Sequence, residues 1–414
     1  MSRVSVIGLG LGLADVTPRA LAALEGSMVL AGGERLLAMF PDHPGRRLVL
    51  KFNLADWLEA VADAAAAGQK VAVLASGDPG FFGIAQKVSA RLGAEAVTVI
   101  PNVTAMQAAC ARLGLAWQAA RAVSLHGRDD LGPLWRALWE ADLVAVYTDP
   151  KHTPDAIARL IIERGQAAFW RLAVAEDLGA DSERVAWFTP EAAAAQGFSA
   201  LNVTILARTG RPRTLRLGLA EAAFAHQAGL ITKAEVRAVA LGLLELEPGL
   251  CLWDLGAGSG SLGLEASLLM PGGRVEAAEA DPERAGMIRQ NRAAFGVGCL
   301  AVHELRLPAG LDSLPAPDRV FVGGGGEVLG DIITAAAARL TPGGVLVAAV
   351  VRLESLVAAR QALGAAGLSV ETTLIQAGRG AALTGGEYIR ALNPVWLVKG
   401  KTPHPNPLPR GERE

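Results

Sequence analysis

Leu252–Pro282 reads LWDLGAGSGSLGLEASLLMPGGRVEAAEADP and combines a strand, a glycine-rich turn, a helix and a second strand. The apolar run Cys251–Trp253 predicts a buried strand that Asp254 ends, and a helix is predicted from Ser261. The turn between them contains alternating glycines: Gly256, Gly258 and Gly260. Glycine suits this turn because the backbone must bend sharply and approach a ligand without a Cβ in the way.

The second strand of this stretch, Arg274–Ala278, leads to Glu279. This places a carboxylate about 20 residues beyond the turn, where it can accept both hydroxyls of a ribose. A nicotinamide site more often reads G-x-G-x-x-G, with a pyrophosphate at the helix N-terminus. Here the carboxylate of Asp254 repels a pyrophosphate but attracts a cationic amino acid moiety. The stretch therefore resembles the S-adenosylmethionine loop of Rossmann-like methyltransferases, with a dinucleotide oxidoreductase as the alternative.

The composition limits the class of protein. The chain has 414 residues, which favours two or three domains, and 51% of them are hydrophobic, so sizeable cores are available. The net charge of -2 gives no reason to expect nucleic acid or an anionic membrane surface as a partner. No apolar run is long enough for a membrane span, and the cysteines have neither disulfide nor metal-binding spacing. We expect a cytoplasmic homo-oligomer without a bound metal.

Several separate motifs occur in order along residues 3–208. Apolar, strand-like runs lead into turns with glycine or proline, a pattern typical of ligand loops. The segments are VIGLGLG (6–12), ASGDPGFFG (75–83), PNVTAMQAACARLGLAW (101–117), VSLHGR (123–128), AEDLG (175–179) and FSALNVTIL (198–206). Together they resemble the tetrapyrrole methylase family, in particular the branch that acts at C5 of a corrin precursor.

The resemblance to tetrapyrrole methylases implies two α/β lobes with S-adenosylmethionine folded between them, held largely by backbone contacts. It assigns the cofactor to the first glycine loop, the GDP loop and the PNVTA turn. The residues that it places at the cofactor are Gly8, Gly10, Gly77, Asp78, Thr104 and Ala105. The sequence departs from this family at Leu11, where proline is usual.

A short basic segment with glycine and proline, Arg208–Thr214, predicts a joint between domains. We therefore expect one domain at residues 1–208, a linker at 209–223 and a second domain at 224–400. The prolines and charges of 401–414 show no apolar periodicity, so this tail is predicted to be disordered.

The second domain opens with the segment TKAEVR (232–237). Thr232 predicts a helix N-cap, and Glu235 completes a capping box. Lys233 and Arg237 lie one helical turn apart and are candidates to face an anionic substrate together. This segment, followed by DLGAGSG, resembles the decarboxylating precorrin C15 methyltransferase family, which implies Thr232 at the cofactor and Lys233 and Arg237 in catalysis.

The rest of this domain is typical of a seven-stranded methyltransferase. The segment DRVFVGGGG (318–326) predicts a strand that enters a glycine turn, and in the C15 family it borders the reaction site. The cofactor residues expected in this domain are Thr232, Asp254, Gly256, Gly258, Gly260, Glu279, Gly323 and Gly324. Glu354, after the strand Val345–Val351, is a catalytic candidate. Tyr388–Asn393 and Val395–Val398 are predicted to be the closing antiparallel strands.

Methyl transfer from a sulfonium is an in-line displacement, to which a protein contributes mainly positioning and electrostatics. The sequence contains no convincing nucleophilic triad. A corrin precursor carries several carboxylates, so basic side chains are expected at the pocket rim. The candidates are His126, Arg128, Lys233, Arg237 and Arg352. Each of them alone is equally compatible with a solvated surface charge.

The order of the two resemblances implies an α/β fusion: a two-lobed tetrapyrrole methylase domain followed by a seven-stranded Rossmann-like methyltransferase domain. It implies two S-adenosylmethionine sites per chain, C5 methylation by the first domain, and C15 methylation with loss of the C12 acetate carboxyl by the second, in cobalamin biosynthesis. Glu327 and Glu354 are both open as the proton donor. The alternatives are a methyltransferase for another tetrapyrrole or a protein side chain, or one catalytic domain with a non-catalytic binding module.

Overall fold

The computed structural model describes residues 3–51, 53–127, 129–227 and 229–402. These residues divide into two compact units. Unit 1 contains residues 3–127, 141–157 and 171–207, and unit 2 contains residues 129–140, 158–170 and 208–402. Every helix among the described residues is either too short or too polar for a membrane span.

The first sheet of unit 1 is parallel throughout. Its strands are β1 (Val4–Gly8), β2 (Val29–Gly33), β3 (Arg46–Leu50), β4 (Val71–Ala75) and β5 (Val97–Ile100). They lie in the order β3-β2-β4-β1-β5. The helices of this region are α1 (Pro18–Glu25), α2 (Glu34–Leu37), α3 (Leu54–Ala66), α4 (Ala85–Leu92) and α5 (Ala105–Leu113). The candidate loops follow β1, β4 and β5, whose carboxyl ends meet at one edge of the sheet.

The second sheet of unit 1 is mixed. Its strands are β6 (Arg121–Ser124), β7 (Leu143–Tyr147), β8 (Trp170–Glu176), β9 (Arg184–Phe188) and β10 (Asn202–Arg208), in the order β6-β7-β10-β8-β9. Three helices lie along this part of the chain: α6 (Gly132–Glu140), which belongs to unit 2, α7 (Pro154–Glu163), most of which also belongs to unit 2, and α8 (Pro190–Ala194) of unit 1. The β6–β7 pair is parallel, whereas the β7–β10 and β8–β9 pairs are antiparallel. Two sheets in one unit agree with the predicted two-lobed architecture.

Unit 2 is built on a seven-stranded sheet. Its elements are α9 (Ala234–Leu243), β11 (Cys251–Leu255), α10 (Ser261–Ser267), β12 (Arg274–Glu279), α11 (Pro282–Phe295), β13 (Leu300–Glu304), β14 (Arg319–Val322), α12 (Leu329–Ala337), β15 (Val345–Val350), α13 (Leu353–Ala365), β16 (Ser369–Ile375), β17 (Gly378–Leu383), β18 (Gly386–Ala391) and β19 (Val395–Lys401). The sheet order is β13-β12-β11-β14-β15-β19-β16. The first five strands are parallel, and β19 is antiparallel to both of its neighbours. This order confirms the predicted Rossmann-like α/β class.

The prediction that Tyr388–Asn393 closes this sheet is wrong. Most of that segment is β18, which pairs with β17 in a separate two-stranded hairpin. All of β18 is exposed, whereas β19 buries Leu397 and Val398. The antiparallel side of the sheet consists of β19, which the sequence predicted, and β16, which sequence analysis did not identify. A strand joins a packed sheet when one of its faces is apolar and can be buried, and β18 buries neither face.

The segment expected to be a linker, 209–223, is packed. Leu215 and Leu219 are buried in the hydrophobic core of unit 2, so the segment is part of that unit rather than a free connection. At the other end of the chain, Lys401 is still paired within the sheet. The remainder of the predicted disordered tail, 403–414, lies outside the described residues.

The predicted capping box at the start of α9 is also wrong. The helix begins at Ala234 with Lys233 at the N-cap, and that cap carries no side-chain hydrogen bond. The backbone N–H of Ala234 instead donates to the Glu221 carboxylate, at 3.1 Å from Oε1. A distant carboxylate therefore replaces the local cap that the Thr232–Glu235 spacing predicts.

Candidate active sites

In unit 1 the first glycine loop meets the GDP loop through their backbones. Gly77 N donates to Gly10 O at 2.8 Å, and Gly10 N donates to Gly77 O at 3.3 Å. A Cβ on Gly8 would lie 2.7 Å from Gly77 O, so the two loops approach each other only because glycine is present. Three of the predicted cofactor residues are thus brought together at one edge of the sheet.

Asp78 organises the GDP loop. Its Oδ1 accepts the Gly80 N–H at 2.7 Å, and its Oδ2 accepts the Asn102 N–H at 3.1 Å. Asn102 in turn donates from Nδ2 to Gly8 O at 3.0 Å and to Asp15 O at 2.9 Å. Asn102 was missed as a site residue, although it stands inside the PNVTA motif. It joins the loops after β1, β4 and β5.

Thr104 and Ala105 form the start of α5. Thr104 is the N-cap, and it shares a complete capping box with Gln107. The hydroxyl of Tyr147 accepts the Met106 N–H at 3.2 Å, and burial raises the pKa of this phenol. Tyr147, at the end of β7, is a second residue that sequence reasoning missed. The first turn of α5, with its partly positive N-terminus, therefore lies beside the glycine loops.

In unit 2 the glycine turn after β11 has the conformation that glycine favours. Gly256, Gly258 and Gly260 have φ values of 69°, 57° and 72°. A Cβ on Gly260 would lie 2.8 Å from Ile288 Cγ2, so this position also needs glycine for the close approach of α11. Gly256 lies beside Gly324, whose N would be 3.1 Å from an added Cβ. The glycine turns after β11 and β14 therefore lie side by side.

Asp254 lies within β11, one residue before its end, and is 1% exposed. Its Oδ2 accepts the Gly263 N–H at 3.0 Å. Burial raises the pKa of Asp254 to about 7; the Gly263 N–H opposes this shift and the charge of Glu279 adds to it. A carboxyl group that titrates near neutral pH responds strongly to a cation placed beside it.

Glu279 ends β12 and is 4% exposed. Its Oε1 accepts from Ala280 N at 3.0 Å, Asp281 N at 3.1 Å and Arg284 Nη2 at 2.8 Å. Its Oε2 accepts from Gly258 N at 2.9 Å. Since a carboxylate oxygen has two lone pairs, Oε2 keeps room for one further donor. Glu279 therefore shapes the glycine turn and the start of α11 while keeping one acceptor position.

The substrate role expected of Arg237 does not fit its placement. Arg237 is fully buried, and its Nη2 donates to Glu265 Oε1 at 2.9 Å. Nη1 donates to Thr232 O at 2.6 Å, and Nη2 also donates to Leu219 O. Lys233 is partly exposed at the helix N-cap, so the two basic side chains do not face a ligand together. The guanidinium of Arg237 holds the chain ahead of the glycine turn in place.

The remaining candidates lie at the surface. The Glu354 side chain is 76% exposed beside Arg352, which is 61% exposed, and their side chains are 3.5 Å apart. Its own backbone N–H, and then the guanidinium of Arg352, lower the pKa of Glu354, which disfavours a role as a proton-donating acid. Glu327 and His126 are also exposed. Arg128 lies outside the described residues.

Arg379 was not identified from the sequence. It lies on β17, and its guanidinium donates to both Glu221 and Glu235, with N–O distances of 2.7–2.9 Å. Hydrogen bonding to Arg379 lowers the pKa of Glu221 to about 2. The ion pairs connect the β17–β18 hairpin to the segment that carries Thr232 and Lys233. No local signal in the sequence predicts this connection.

Comparison with known proteins gives matches over both halves of the chain. The family described as "Tetrapyrrole (Corrin/Porphyrin) Methylases" matches residues 3–194, and the family described as "Precorrin methyltransferase domain" matches residues 222–399. A Salmonella typhimurium protein named cobalt-precorrin-7 C(5)-methyltransferase is 35% identical over 188 residues, which are 44% of this chain and 89% of that protein. A Pyrobaculum calidifontis protein named probable cobalt-precorrin-6B C(15)-methyltransferase (decarboxylating) is 44% identical over 184 residues, which are 44% of this chain and 94% of that protein.

Several relatives match most of the chain. A Sinorhizobium sp. protein named precorrin-6Y C(5,15)-methyltransferase [decarboxylating] is 36% identical over 361 residues, which are 83% of this chain and 84% of that protein. The match includes both halves at once, in agreement with the order of motifs in the sequence. The chain therefore belongs to the family of decarboxylating precorrin-6Y C(5,15)-methyltransferases.

Proposed function

We propose that this enzyme methylates precorrin-6Y at C5 and C15 and removes the carboxyl group of the C12 acetate, giving precorrin-8 in cobalamin biosynthesis. Unit 1 performs the C5 methylation, and unit 2 performs the C15 methylation and the decarboxylation. The supporting observation is the presence of two glycine-turn sites of unrelated architecture, one in each unit, in a chain related over most of its length to a decarboxylating C(5,15)-methyltransferase.

The residues of unit 2 fit S-adenosylmethionine. A Cβ on Gly258 would meet only Leu230 O, at 4.0 Å, and a Cβ on Gly324 would meet nothing within 4 Å, so the backbone here has an open side. Glu279 contacts Gly258 at this opening and offers an acceptor suited to a ribose hydroxyl. The buried Asp254, two residues before Gly256, contributes negative charge in its ionised form, which favours a cationic ligand. Asp254, an acidic residue just before the glycine turn, disfavours a pyrophosphate and so argues against the dinucleotide alternative. Glu279 does not discriminate, because dinucleotide sites also bind the ribose through an acidic residue.

In unit 1 the fit depends on backbone and neutral groups. The paired loops of Gly10 and Gly77, the amide of Asn102 and the N-terminus of α5 converge at one edge of the first sheet. When bound, S-adenosylmethionine supplies an electrophilic methyl group. The chain contributes orientation of the donor and the acceptor carbon, which is the main requirement of an in-line displacement.

The proposal is tested with the purified full chain, precorrin-6Y and S-adenosylmethionine, followed by mass spectrometry. Two methyl gains with loss of one carbon dioxide are expected. One methyl gain without decarboxylation would support one catalytic unit with a non-catalytic module, and no conversion would contradict the proposal. Calorimetry with S-adenosylhomocysteine should give close to two sites per chain, and a single site would contradict the division between two units.

A further inference from the structure

Phe82 has an exposed side chain and a left-handed backbone conformation, and both are unfavourable for a large apolar residue. It lies in the turn between the GDP loop and α4, and its side chain is 56% exposed. The adjacent Phe81 packs against the hydrophobic cluster of unit 1 that contains Met106 and Val203. Packing therefore explains the aromatic ring at position 81 but not the one at position 82.

The backbone of Phe82 is in the left-handed region, with φ of 53°. Few non-glycine residues adopt this conformation, because the Cβ crowds the neighbouring backbone. The surrounding turn maintains it. Ala85 N donates to Pro79 O at 3.0 Å, and a Cβ on Gly83 would collide with the Pro79 carbonyl, so the chain has little freedom on either side. Glycine at position 82 would remove the strain without loss of core packing.

Aromatic contacts orient the exposed ring. Its centroid lies 4.9 Å from that of Phe81, at 65°, and 5.7 Å from that of Tyr147, at 59°. Tyr147 also receives the Met106 N–H from the first turn of α5. The ring of Phe82 is thus held in place next to the loops that we assign to the cofactor, while more than half of its surface stays open.

We propose that Phe82 contacts the substrate in unit 1 and packs against a flat, conjugated face of the tetrapyrrole. The proposal rests on the function proposed above. A single exposed hydrophobic residue is ordinary on a protein surface. Phe82 is unusual because it combines a strained backbone, an exposed side chain, a fixed ring orientation and a position beside the GDP loop. Strained residues persist where the surrounding structure enforces them and occur preferentially at ligand sites. An aromatic ring packs well on a conjugated ligand in offset or edge-to-face geometry.

The test uses the full chain with Phe82→Gly, Phe82→Leu and Phe82→Tyr. Met28→Ala is the matched control, because Met28 is 55% exposed in the same unit but precedes β2, at the amino end of the first sheet. Three quantities are measured: the melting temperature, the Kd for S-adenosylhomocysteine, and the KM for precorrin-6Y in C5 methylation. Titration of precorrin-6Y by visible absorbance, with S-adenosylhomocysteine present, measures tetrapyrrole affinity independently of turnover.

Phe82→Gly relieves the left-handed conformation but removes the ring contacts with Phe81 and Tyr147, so its melting temperature should stay close to that of the wild type. This substitution should weaken tetrapyrrole binding about tenfold, the loss expected for one aromatic packing partner and its buried area. Phe82→Leu keeps part of the buried apolar area and loses only the aromatic geometry, so it should weaken binding by a smaller factor, about threefold. Phe82→Tyr and Met28→Ala should bind as the wild type does, and all variants should keep the Kd for S-adenosylhomocysteine within about twofold.

Unchanged tetrapyrrole affinity in both Phe82→Gly and Phe82→Leu would overturn the proposal. Equal weakening by Met28→Ala would also overturn it, because the effect would then not be local. If Phe82→Gly does not fold, Phe82→Leu decides the question alone. A wild type that binds precorrin-6Y but does not methylate it would contradict the proposed function, and the affinities of the variants would still test the contact.

Discussion

Replacement of Glu279 by glutamine tests the cofactor site of unit 2 most directly. The carboxylate accepts hydrogen bonds from the glycine turn on Oε2 and from the start of α11 and Arg284 on Oε1. Alanine would remove all of these at once from a side chain that is 4% exposed, so it would damage the fold as well as the ligand site. Glutamine keeps the shape and one acceptor oxygen, and it replaces the other oxygen by a donor.

The magnitude follows from the contacts. The remaining oxygen of glutamine should face the group of donors at Ala280, Asp281 and Arg284, which leaves the new amide N–H₂ facing Gly258 N. The turn loses its hydrogen bond from Gly258 N, and the cofactor loses a hydrogen bond to a charged acceptor, which contributes about 1.5–3 kcal/mol to binding. The same oxygen is the one with room for a ribose hydroxyl. We therefore expect cofactor affinity in unit 2 to fall about 10- to 100-fold.

The assay combines calorimetry with S-adenosylhomocysteine and product analysis by mass spectrometry. Glu279→Gln should leave the site of unit 1 and C5 methylation unchanged, while C15 methylation and decarboxylation decline at limiting cofactor. Glu283→Gln is the matched control, because Glu283 is an exposed carboxylate in the first turn of α11. It should change neither activity.

Two results would refute this reasoning. Normal cofactor affinity combined with a lower melting temperature would show that Glu279 supports the turn and does not bind the ribose. Equal loss of both methylations would show that the effect is not confined to unit 2.

Three further predictions follow from buried charges and from the division of the chain. The pKa of Asp254 rises from 3.8 to about 7 on folding, so the stability contributed by this proton is present at low pH and is lost as pH rises from about 4 to 7. In urea titrations Asp254→Asn should remove this part of the pH dependence, and a variant with the same dependence of unfolding free energy on pH as the wild type would contradict the prediction. Arg237→Met leaves Glu265 buried without its ion-pair partner and should lower the free energy of unfolding by about 3–5 kcal/mol, and the double variant Arg237→Met, Glu265→Leu should recover part of the lost stability. Loss of C15 methylation at unchanged stability would instead support a substrate role for Arg237. Residues 1–208 and 209–414, expressed as separate chains, should each be soluble, because the two sets of motifs divide near Thr209. Insolubility of both would show that residues 129–140 and 158–170, which belong to unit 2, need the second half of the chain to fold.

The order of strand, glycine turn and helix in unit 2 was predictable because short-range rules decide it. The predicted helix start at Ser261 is the observed one, and the predicted strand Arg274–Ala278 differs from β12 by one residue. Gly256, Gly258 and Gly260 all have positive φ, which is why glycine marks this turn in the sequence. Such features depend on residues close in the chain.

The role of Arg237 was not predictable from helical spacing. Spacing shows which residues share a helix face, but not whether another element covers that face. Glu265 covers it here from α10, 28 residues further along the chain. Arg379 is a stronger case, since its carboxylate partners Glu235 and Glu221 are 144 and 158 residues away. Pairing over such distances depends on the tertiary fold and has no signature in a single sequence.

The two candidate sites differ in the groups that surround their glycine turns. In unit 1 the loops are joined by backbone hydrogen bonds between Gly10 and Gly77 and by the amide of Asn102. In unit 2 the turn is bordered by the buried carboxylates of Asp254 and Glu279. A cationic ligand favours the ionised form of Asp254, so by linkage its affinity for unit 2 should fall as pH drops below about 7.

Acid therefore affects the fold and the ligand in opposite directions at this carboxyl group. The proton on Asp254 stabilises unit 2 below pH 7, because the folded state binds it more tightly than the unfolded chain does. In the site that we propose for unit 2, the same proton would remove a negative charge that favours the sulfonium and ammonium groups of S-adenosylmethionine. A loss of C15 methylation at mildly acidic pH with C5 methylation intact would consequently reflect protonation of a folded site, since unfolding through this group would require the opposite change in pH.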